Sequence, residues 1–138
     1  PSGVIVDSSG NIYVADFSNH RIRKITPAGM VSTFAGTGIR GYADGTGTTA
    51  QFYYPAGLAV DSSGNVYVVD HGSHRIRKIT PAGVVTTFAG TGTKGFANGD
   101  GTKAQFNNPT GVAVDSSGNF YVADSDNHRI RKIEYKVP

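Results

Sequence analysis

Three histidines occupy the same position of a repeating sequence, and they are the first candidates for chemistry in this chain. His20, His74 and His128 are each followed by Arg-Ile-Arg-Lys-Ile. Three imidazoles can bind a zinc ion, but a residue that recurs once per repeat more often serves a local structural purpose. An aspartate four residues before each histidine is placed to accept a hydrogen bond from the imidazole. We therefore predict structural pairs and no metal site. The aspartates are Asp16, Asp70 and Asp124.

Turn formation accounts for the other carboxylates and hydroxyls that resemble catalytic groups. Asp7, Asp61 and Asp115 each begin the sequence Asp-Ser-Ser-Gly-Asn, where a carboxylate can accept hydrogen bonds from backbone N–H groups of the turn. The serines lack the strand–turn–helix context of a nucleophile. Residues 98–102 resemble a calcium loop, but the equivalent residues 44–48 move the carboxylate and no bidentate glutamate follows. The sequence thus indicates no catalytic residue and no cofactor.

The elements that position these residues repeat at a fixed interval. Pro-x-Gly occurs at Pro1, Pro55 and Pro109, so the period is 54 residues. Repetition of this kind is typical of propellers and solenoids. We treat the whole chain as one segment of a repeat domain. Its units are residues 1–54, residues 55–108 and the partial unit 109–138.

Each complete unit contains four short runs that favour β-strands. Ser-Ser-Gly separates the first two runs and Pro-Ala-Gly separates the last two, which predicts tight reversals. Ile22 and Ile25 cannot share a face of a regular strand, so we expect a β-bulge or burial on both faces. The pattern predicts an all-β fold, a β-propeller of four-stranded antiparallel blades, because a β-sandwich does not require a constant interval. The predicted strands of the first unit are 4–7, 11–16, 20–26 and 30–35.

The repeated sequence resembles the NHL repeat. Pro-x-Gly-[Val/Leu]-x-Val-Asp-Ser-Ser-Gly-Asn-x-Tyr-Val-x-Asp leads to Asn-His-Arg-Ile at residues 19–22 and 127–130, with Ser73 replacing the asparagine in the second unit. This resemblance covers nearly the whole chain and implies a propeller that is typically six-bladed. The units are longer than usual because of Gly-rich inserts at 37–54 and 91–108. Long-insert repeats resemble those of secreted or cell-surface bacterial proteins and of teneurin-like chains, which implies a similar location here.

The predicted blades are too few for a closed ring. The chain supplies about two and a half to three, and a propeller needs about four to eight. Either the chain is part of a longer protein, or copies associate, with two chains to six blades as the favoured arrangement. The third unit lacks a fourth strand; residues 134–138 either leave that edge open or form a ragged outer edge. Self-association is therefore one expected interaction.

One face of the predicted propeller varies between units. The turns between strands one and two and between strands three and four are constant, whereas substitutions fall in the loop between strands two and three and in the inserts. Loops on a rigid scaffold commonly bind ligands, and Tyr, Phe and Arg are frequent contact residues. We predict that this variable face binds a protein or glycan. The candidates are Phe17, Arg40, Tyr42, Tyr53, Tyr54, His71, Lys94, Phe96, Asn107 and Asn108.

Three function classes remain open at this stage. The favoured one is a non-catalytic binding or scaffold module. A metal-dependent lyase or lactonase-like enzyme, as found among related propellers, would need histidines or carboxylates at the mouth of the inner strands, where Val4, Leu58 and Val112 are apolar. RNA binding would use a basic face, but the Arg and Lys residues are expected to lie within strand three, away from the variable face.

Composition adds few constraints. The chain has no cysteine, which excludes disulfides and thiolate chemistry. Its net charge of +3 follows largely from the repeated Arg-x-Arg-Lys and makes nucleic acid an unlikely partner. Apolar runs are of strand length, so we expect no membrane insertion.

Overall fold

The computed structural model describes residues 1–134, in which three antiparallel sheets follow one another along the chain. Four strands form the first sheet in the order β1-β2-β3-β4, and each pairs with its neighbour in sequence. This confirms the predicted all-β fold with four-stranded blades. The strands are β1 (Gly3–Val6), β2 (Ile12–Asp16), β3 (Arg21–Ile25), β4 (Val31–Ala35), β5 (Gly45–Thr46), β6 (Pro55–Val60), β7 (Val66–Asp70), β8 (Arg75–Ile79), β9 (Val84–Ala89), β10 (Gly111–Val114), β11 (Phe120–Asp124) and β12 (Arg129–Ile133).

The second sheet has a fifth strand that comes from the first insert. Its order is β5-β9-β8-β7-β6, so the two-residue strand β5 adds to the outer edge of the second blade. The third sheet contains β10-β11-β12, and no fourth strand follows among the described residues. The alternative of a ragged edge formed by residues 134–138 falls beyond Glu134, outside the described residues.

Local sequence accounts for the reversals within each blade. The carboxylate of Asp7 accepts hydrogen bonds from the backbone N–H groups of Ser9 and Asn11, both at 2.9 Å, and Gly10 adopts φ +84°, which favours glycine. The β3–β4 register shifts between Ile22 and Arg23, which confirms the predicted irregularity of the third strand.

Successive blades pack face to face through apolar side chains. Tyr13 and Ile22 of the first blade lie in one core with Val68 and Ile79 of the second, and a second core joins the second and third blades. The first strands approach closely: a Cβ placed on Gly3 would lie 2.6 Å from the carbonyl oxygen of Ala56. Blades that stack in this manner around neighbouring inner strands form a segment of a propeller.

Within residues 1–134, helical structure is restricted to 3-10 turns of three residues. Three of them form the loop between the second and third strands of each blade, at Phe17–Asn19, His71–Ser73 and Ser125–Asn127. In the first insert the turn is Gly47–Thr49. No described helix has the length and apolar character of a membrane span.

Candidate ligand-binding face

The loop between the second and third strands ends in a histidine with unusual backbone geometry. His20, His74 and His128 have φ values of +54°, +56° and +55°, in the left-handed region that residues with a side chain seldom occupy. Each follows the three-residue 3-10 turn and leads directly into the third strand. The bend places the turn and the histidine at one end of the blade, which fixes the position of the variable loop.

The histidine side chain connects two blades rather than pinning its own loop. Nδ1 of His20 accepts a hydrogen bond from the backbone N–H of Tyr54, at 3.1 Å, and Nδ1 of His74 accepts one from Asn108, at 3.0 Å. Tyr54 and Asn108 end the inserts that lead to the following blade, and both have positive φ. We call these two bonds the histidine latches.

The prediction that the preceding aspartates accept hydrogen bonds from the histidines is wrong. Asp70 is fully buried and accepts hydrogen bonds from the backbone of Tyr53 (2.7 Å), the hydroxyl of Ser73 (2.7 Å) and the guanidinium of Arg77 (3.1 Å). Asp124 has the equivalent contacts to Asn107, Asn127 and Arg131, and Asp16 contacts Asn19 and Arg23. An always-charged arginine on the neighbouring strand satisfies the buried carboxylate better than a neutral imidazole.

Five of the predicted ligand-binding residues come together at the junction of the first and second blades. The ring of Tyr54 lies 4.8 Å from Phe17 and 5.5 Å from Tyr53, measured between centroids, and Phe17 lies 6.1 Å from His71. The guanidinium of Arg40 lies 5.8 Å from the centre of the Tyr53 ring. The four rings are half-buried, whereas Arg40 is exposed. We call Phe17, Tyr53, Tyr54 and His71 the aromatic cluster.

The equivalent junction between the second and third blades is polar. Asn108 donates a side-chain hydrogen bond to Asp126 at 2.5 Å, and the hydroxyls of Thr110 and Ser125 form a hydrogen bond. Lys94 is exposed on the second insert and Asn107 is half-buried. The same backbone framework therefore presents aromatic side chains at one junction and amides, hydroxyls and charges at the next. Asp126, Thr110 and Ser125 were not predicted, although residues 125 and 126 differ from their counterparts in both other units.

Two predicted candidates, Tyr42 and Phe96, lie apart from the aromatic cluster. The Tyr42 ring stacks on Arg75 and Arg77 of the next blade, with guanidinium carbons 3.5 and 4.7 Å from its centre. Phe96 stacks in the same manner on Arg129 and Arg131, at 3.8 and 4.5 Å. These aromatics hold each insert to the following blade through cation–π contacts. The basic residues were expected within strand three and away from the variable face; these four arginines do lie in the third strands, but they contact residues of the inserts on that face.

The second arginine of the third strand also binds the insert through hydrogen bonds, a role that sequence analysis missed. Arg77 is fully buried and donates to the carbonyl oxygens of Gln51 and Ala43 and to the carboxylate of Asp44, all within 2.9 Å. Arg131 repeats this arrangement with the second insert. The spacing of Arg77 and Ile79 could have predicted this role. Residues two apart on a strand share a face, so Arg77 lies on the same face of its strand as the apolar Ile79.

The carboxylates of Asp7 and Asp61 accept hydrogen bonds from residues of their own turns. Burial raises the pKa of Asp7, but hydrogen bonds from Asn11, Ser9 and Tyr13 outweigh that effect and hold its pKa below the usual value. Asp61 has the same arrangement. Across residues 1–134, no three His, Asp or Glu side chains come together as a metal site would require.

The sequence of this chain is similar to a known repeat family and to several known proteins. The family model for the NHL repeat matches residues 1–25, 52–79 and 106–133. The chain is 36% identical over 101 residues to NHL repeat-containing protein 2 of Gallus gallus, covering 72% of this chain and 14% of that protein. It is 42% identical over 86 residues to peptidyl-alpha-hydroxyglycine alpha-amidating lyase 1 of Drosophila melanogaster, covering 62% and 16%.

A solved structure of similar sequence has the same fold. An auxiliary nutrient binding protein from Bacteroides thetaiotaomicron superposes with a TM-score of 0.86 at 30% identity, over 96% of this chain and 36% of that one. The chain thus spans about a third of this structure and a much smaller share of the two relatives. Because the family model covers more than half of its residues and the blades have the expected geometry, this chain belongs to the NHL repeat family.

Proposed function

We propose that this chain is a non-catalytic part of a propeller and that it binds a glycan through the aromatic cluster. The observation that carries the proposal is the packing of Phe17, Tyr53, Tyr54 and His71 at one blade junction, each half-buried. Within residues 1–134 the structure records no hydrogen bond from the hydroxyl of Tyr53 or Tyr54. These two hydroxyls are the groups that we expect to form hydrogen bonds with the ligand.

The chemistry of the cluster suits a sugar ring. A hexose has an apolar face of C–H groups, which packs on aromatic rings, and an edge of hydroxyls, which needs hydrogen-bonding groups. The rings of Tyr54 and Phe17 provide the apolar surface, while Arg40 and the tyrosine hydroxyls provide polar contacts beside it. The histidine latch and the buried Asp70 fix the backbone of Tyr53 and Tyr54, so little conformational entropy is lost on binding.

Other features support binding in preference to the alternatives. The similarity to a nutrient binding protein favours a ligand-binding role. The lyases among the relatives share the repeat, but the described residues of this chain do not group metal ligands. The arginines of the third strands are poorly placed for RNA binding, because Arg75, Arg77, Arg129 and Arg131 are engaged by the inserts.

The experiment replaces the two tyrosines of the aromatic cluster by the asparagines found at the equivalent positions of the next unit. Asn107 and Asn108 occupy the positions of Tyr53 and Tyr54 with the same backbone contacts, so the double variant Tyr53→Asn/Tyr54→Asn preserves the framework. Binding of the chain to a panel of neutral oligosaccharides is measured by calorimetry. We expect at least a tenfold loss for any ligand that binds the unaltered chain.

The control variant is Tyr42→Phe, which also copies another unit because Phe96 is its counterpart. Since Tyr42 lies on the arginine pair and not in the aromatic cluster, we expect its oligosaccharide binding to equal that of the unaltered chain. A panel without any bound oligosaccharide, or equal binding by the double variant, overturns the glycan proposal.

We also propose that two copies associate end to end to complete a ring. Val4 on the open side of the first blade is 66% exposed, whereas its counterpart Leu58 is 7% exposed because the first blade covers it. Ile130 on the open side of the third blade is 73% exposed, whereas its counterpart Ile76 is fully buried. The two open sides are complementary halves of an interface that the chain already forms twice, and apolar faces of this kind favour association.

A further inference from the structure

His71 lies between the aromatic cluster and the polar junction that follows it. Its ring is 6.1 Å from that of Phe17 on one side, and on the other side its Nδ1 is 3.1 Å from the carbonyl oxygen of Pro109. Pro109 directly follows Asn108 in the chain, so the imidazole adjoins the polar junction as well. Only the second unit has a histidine at this position, because the counterparts of His71 are Phe17 and Ser125.

The contact with Pro109 determines which atom of the imidazole can bind a ligand. A carbonyl oxygen only accepts hydrogen bonds, so Nδ1 of His71 carries the hydrogen and donates it. In the neutral ring the other nitrogen, Nε2, then has a lone pair and no hydrogen. The imidazole is half-buried and held by Pro109, so its Nε2 is a well-positioned acceptor for one hydroxyl group.

Asp126 of the polar junction is a second acceptor. Its carboxylate accepts a hydrogen bond from the side-chain amide of Asn108 at 2.5 Å, and a carboxylate has about four lone-pair sites. The backbone N–H of Asp126 donates to the carbonyl oxygen of Asn107 at 3.1 Å, which holds this loop against the second insert. Asp126 is exposed, as is its counterpart Ser18 in the first blade, where the following insert is described. The carboxylate can therefore accept further hydrogen bonds from a ligand on this face.

Gly72 places an aromatic ring beside these acceptors. A Cβ on Gly72 would lie 1.7 Å from Cδ1 of Tyr53, so the tyrosine ring lies directly over the backbone that follows His71. The third unit has Asp126 at the position of Gly72 and Asn107 at the position of Tyr53. The aromatic surface therefore ends at His71, and the hydrogen-bond acceptors begin there.

We propose that the glycan bound by the aromatic cluster extends over His71 to Asp126, and that it is a neutral oligosaccharide of at least two sugar rings. This inference rests on the proposed glycan-binding function. One ring packs on Tyr54 and Phe17. Hydroxyl groups of the next ring donate hydrogen bonds to Nε2 of His71 and to the carboxylate of Asp126. More than one ring is needed because these contacts come from the loops of three successive blades. The negative charge of Asp126 disfavours an acidic sugar at the second position.

The test compares disaccharides with their component monosaccharides. Binding of α- and β-linked neutral disaccharides of glucose, galactose and mannose to the full chain is measured by calorimetry, beside binding of the three monosaccharides. We expect at least one disaccharide to bind at least tenfold more tightly than its components. Asp126→Ser, which copies Ser18, should weaken binding of that disaccharide at least tenfold and leave monosaccharide binding unchanged.

Two substitutions of His71 separate its acceptor atom from its ring. His71→Asn keeps an N–H that can donate to Pro109 but has no Nε2, and His71→Phe copies Phe17 and keeps an aromatic surface. Both should weaken disaccharide binding at least tenfold, whereas a role for the ring alone predicts that His71→Phe retains binding. The control is His128→Asn. Its counterpart His74 is latched at the junction that follows its own blade, so His128 belongs to the junction beyond the third blade, and we expect unchanged binding.

The outcomes distinguish this inference from the function on which it rests. If Tyr53→Asn/Tyr54→Asn abolishes disaccharide binding while Asp126→Ser and His71→Phe bind as the unaltered chain does, the glycan proposal holds and its extension over His71 is wrong. Disaccharides that bind no more tightly than their components also overturn the extension. Absence of binding by every sugar overturns both proposals.

Discussion

The backbone N–H of Tyr54 donates a hydrogen bond to Nδ1 of His20 across 34 residues of sequence, at 3.1 Å. The bond joins the residue before the third strand of the first blade to the last residue of the insert that leads into the second blade. Only a neutral imidazole can accept it, because both nitrogens of a protonated ring carry hydrogen. The same holds for His74 and Asn108. Blade packing and the protonation of two histidines are therefore coupled.

We predict that the chain loses stability as the pH falls below about 6.5, the ordinary histidine value. Burial, followed by the charge of Arg40, lowers the pKa of His20, and burial also lowers the pKa of His74. A lowered pKa in the folded state means that stability is complete above the unfolded value and decreases as pH falls through the folded value. We expect a loss of about 1 kcal/mol for each latch between pH 7.5 and 5, measured by urea unfolding.

The control for this pH dependence is the third histidine. Among residues 1–134, no insert follows His128 and its ring forms no latch, so His128→Asn should retain the full decrease. His20→Asn keeps a residue that tolerates positive φ but cannot titrate, and it should remove about half of the decrease. The turn carboxylates of Asp7 and Asp61 titrate in a more acidic range than histidine, because hydrogen bonds hold their pKa values below the ordinary aspartate value. An unchanged pH profile in the combined variant His20→Asn/His74→Asn contradicts the coupling.

Replacement of Arg77 should be far more damaging than the same change at the equivalent Arg23. Arg77→Ala leaves the buried carboxylate of Asp70 without its guanidinium partner and removes the hydrogen bonds to the first insert, a loss of about 3–5 kcal/mol. Arg23 lies in the first blade, where none of the described residues forms an insert over it, and its side chain is 34% exposed beside Asp16. We expect Arg23→Ala to cost about 1 kcal/mol or less. Equal losses in chemical unfolding of the two variants are incompatible with this account.

Local sequence was sufficient to predict the blades. Turn residues such as Asp7 and Gly10, and the alternation of apolar and polar residues, act within a few positions, so the main strands of each blade, their order and the irregularity at Ile22 follow from them. The two-residue strand β5 does not follow, because it forms only against the edge of the next blade. The fixed period then identifies which residues occupy equivalent places. The insert contacts of Arg77 and His74 obey the same repetition, but they join residues 26 to 34 positions apart.

Those longer contacts explain what sequence analysis could not resolve. His20 and Asp16 are four residues apart, and this spacing predicted a hydrogen bond between their side chains. The carboxylate of Asp16 instead contacts Arg23 of the third strand. Tyr42 looked like a surface anchor because it varies between units. Only the three-dimensional position of Arg75 shows that the Tyr42 ring is held by the next blade.

Substitution by alanine should affect stability differently at Gly57 and Gly111, although the two glycines occupy equivalent positions. A Cβ on Gly57 would lie 2.7 Å from the carbonyl oxygen of Thr110, whereas a Cβ on Gly111 would meet nothing closer than the side chain of Ala123, at 3.7 Å. Gly57→Ala should therefore cost about 1–3 kcal/mol in urea unfolding, and Gly111→Ala should leave the unfolding of the single chain unchanged. If a second copy packs against the third blade, Gly111→Ala should weaken association. Similar destabilisation by both substitutions in the dilute chain conflicts with the open end seen here.

The proposed end-to-end association predicts complementation between two blocked variants. Val4→Asp places a charge on the open side of the first blade, and Ile130→Asp places one on the open side of the third; each interface needs one of each side. Either variant alone should therefore be monomeric by analytical ultracentrifugation. An equimolar mixture should recover a 1:1 complex, because one unaltered side remains on each partner.

The surface variant Ile39→Asp separates this effect from a general change in charge or hydrophobicity. Ile39 is 68% exposed on the first insert, close to the exposure of Val4 and Ile130, but it lies on neither open side. We expect it to associate as the unaltered chain does. Monomers of the unaltered chain at high concentration, or a mixture of Val4→Asp and Ile130→Asp that shows no complex, contradict the two-copy ring and leave the open sides to further blades of a longer chain.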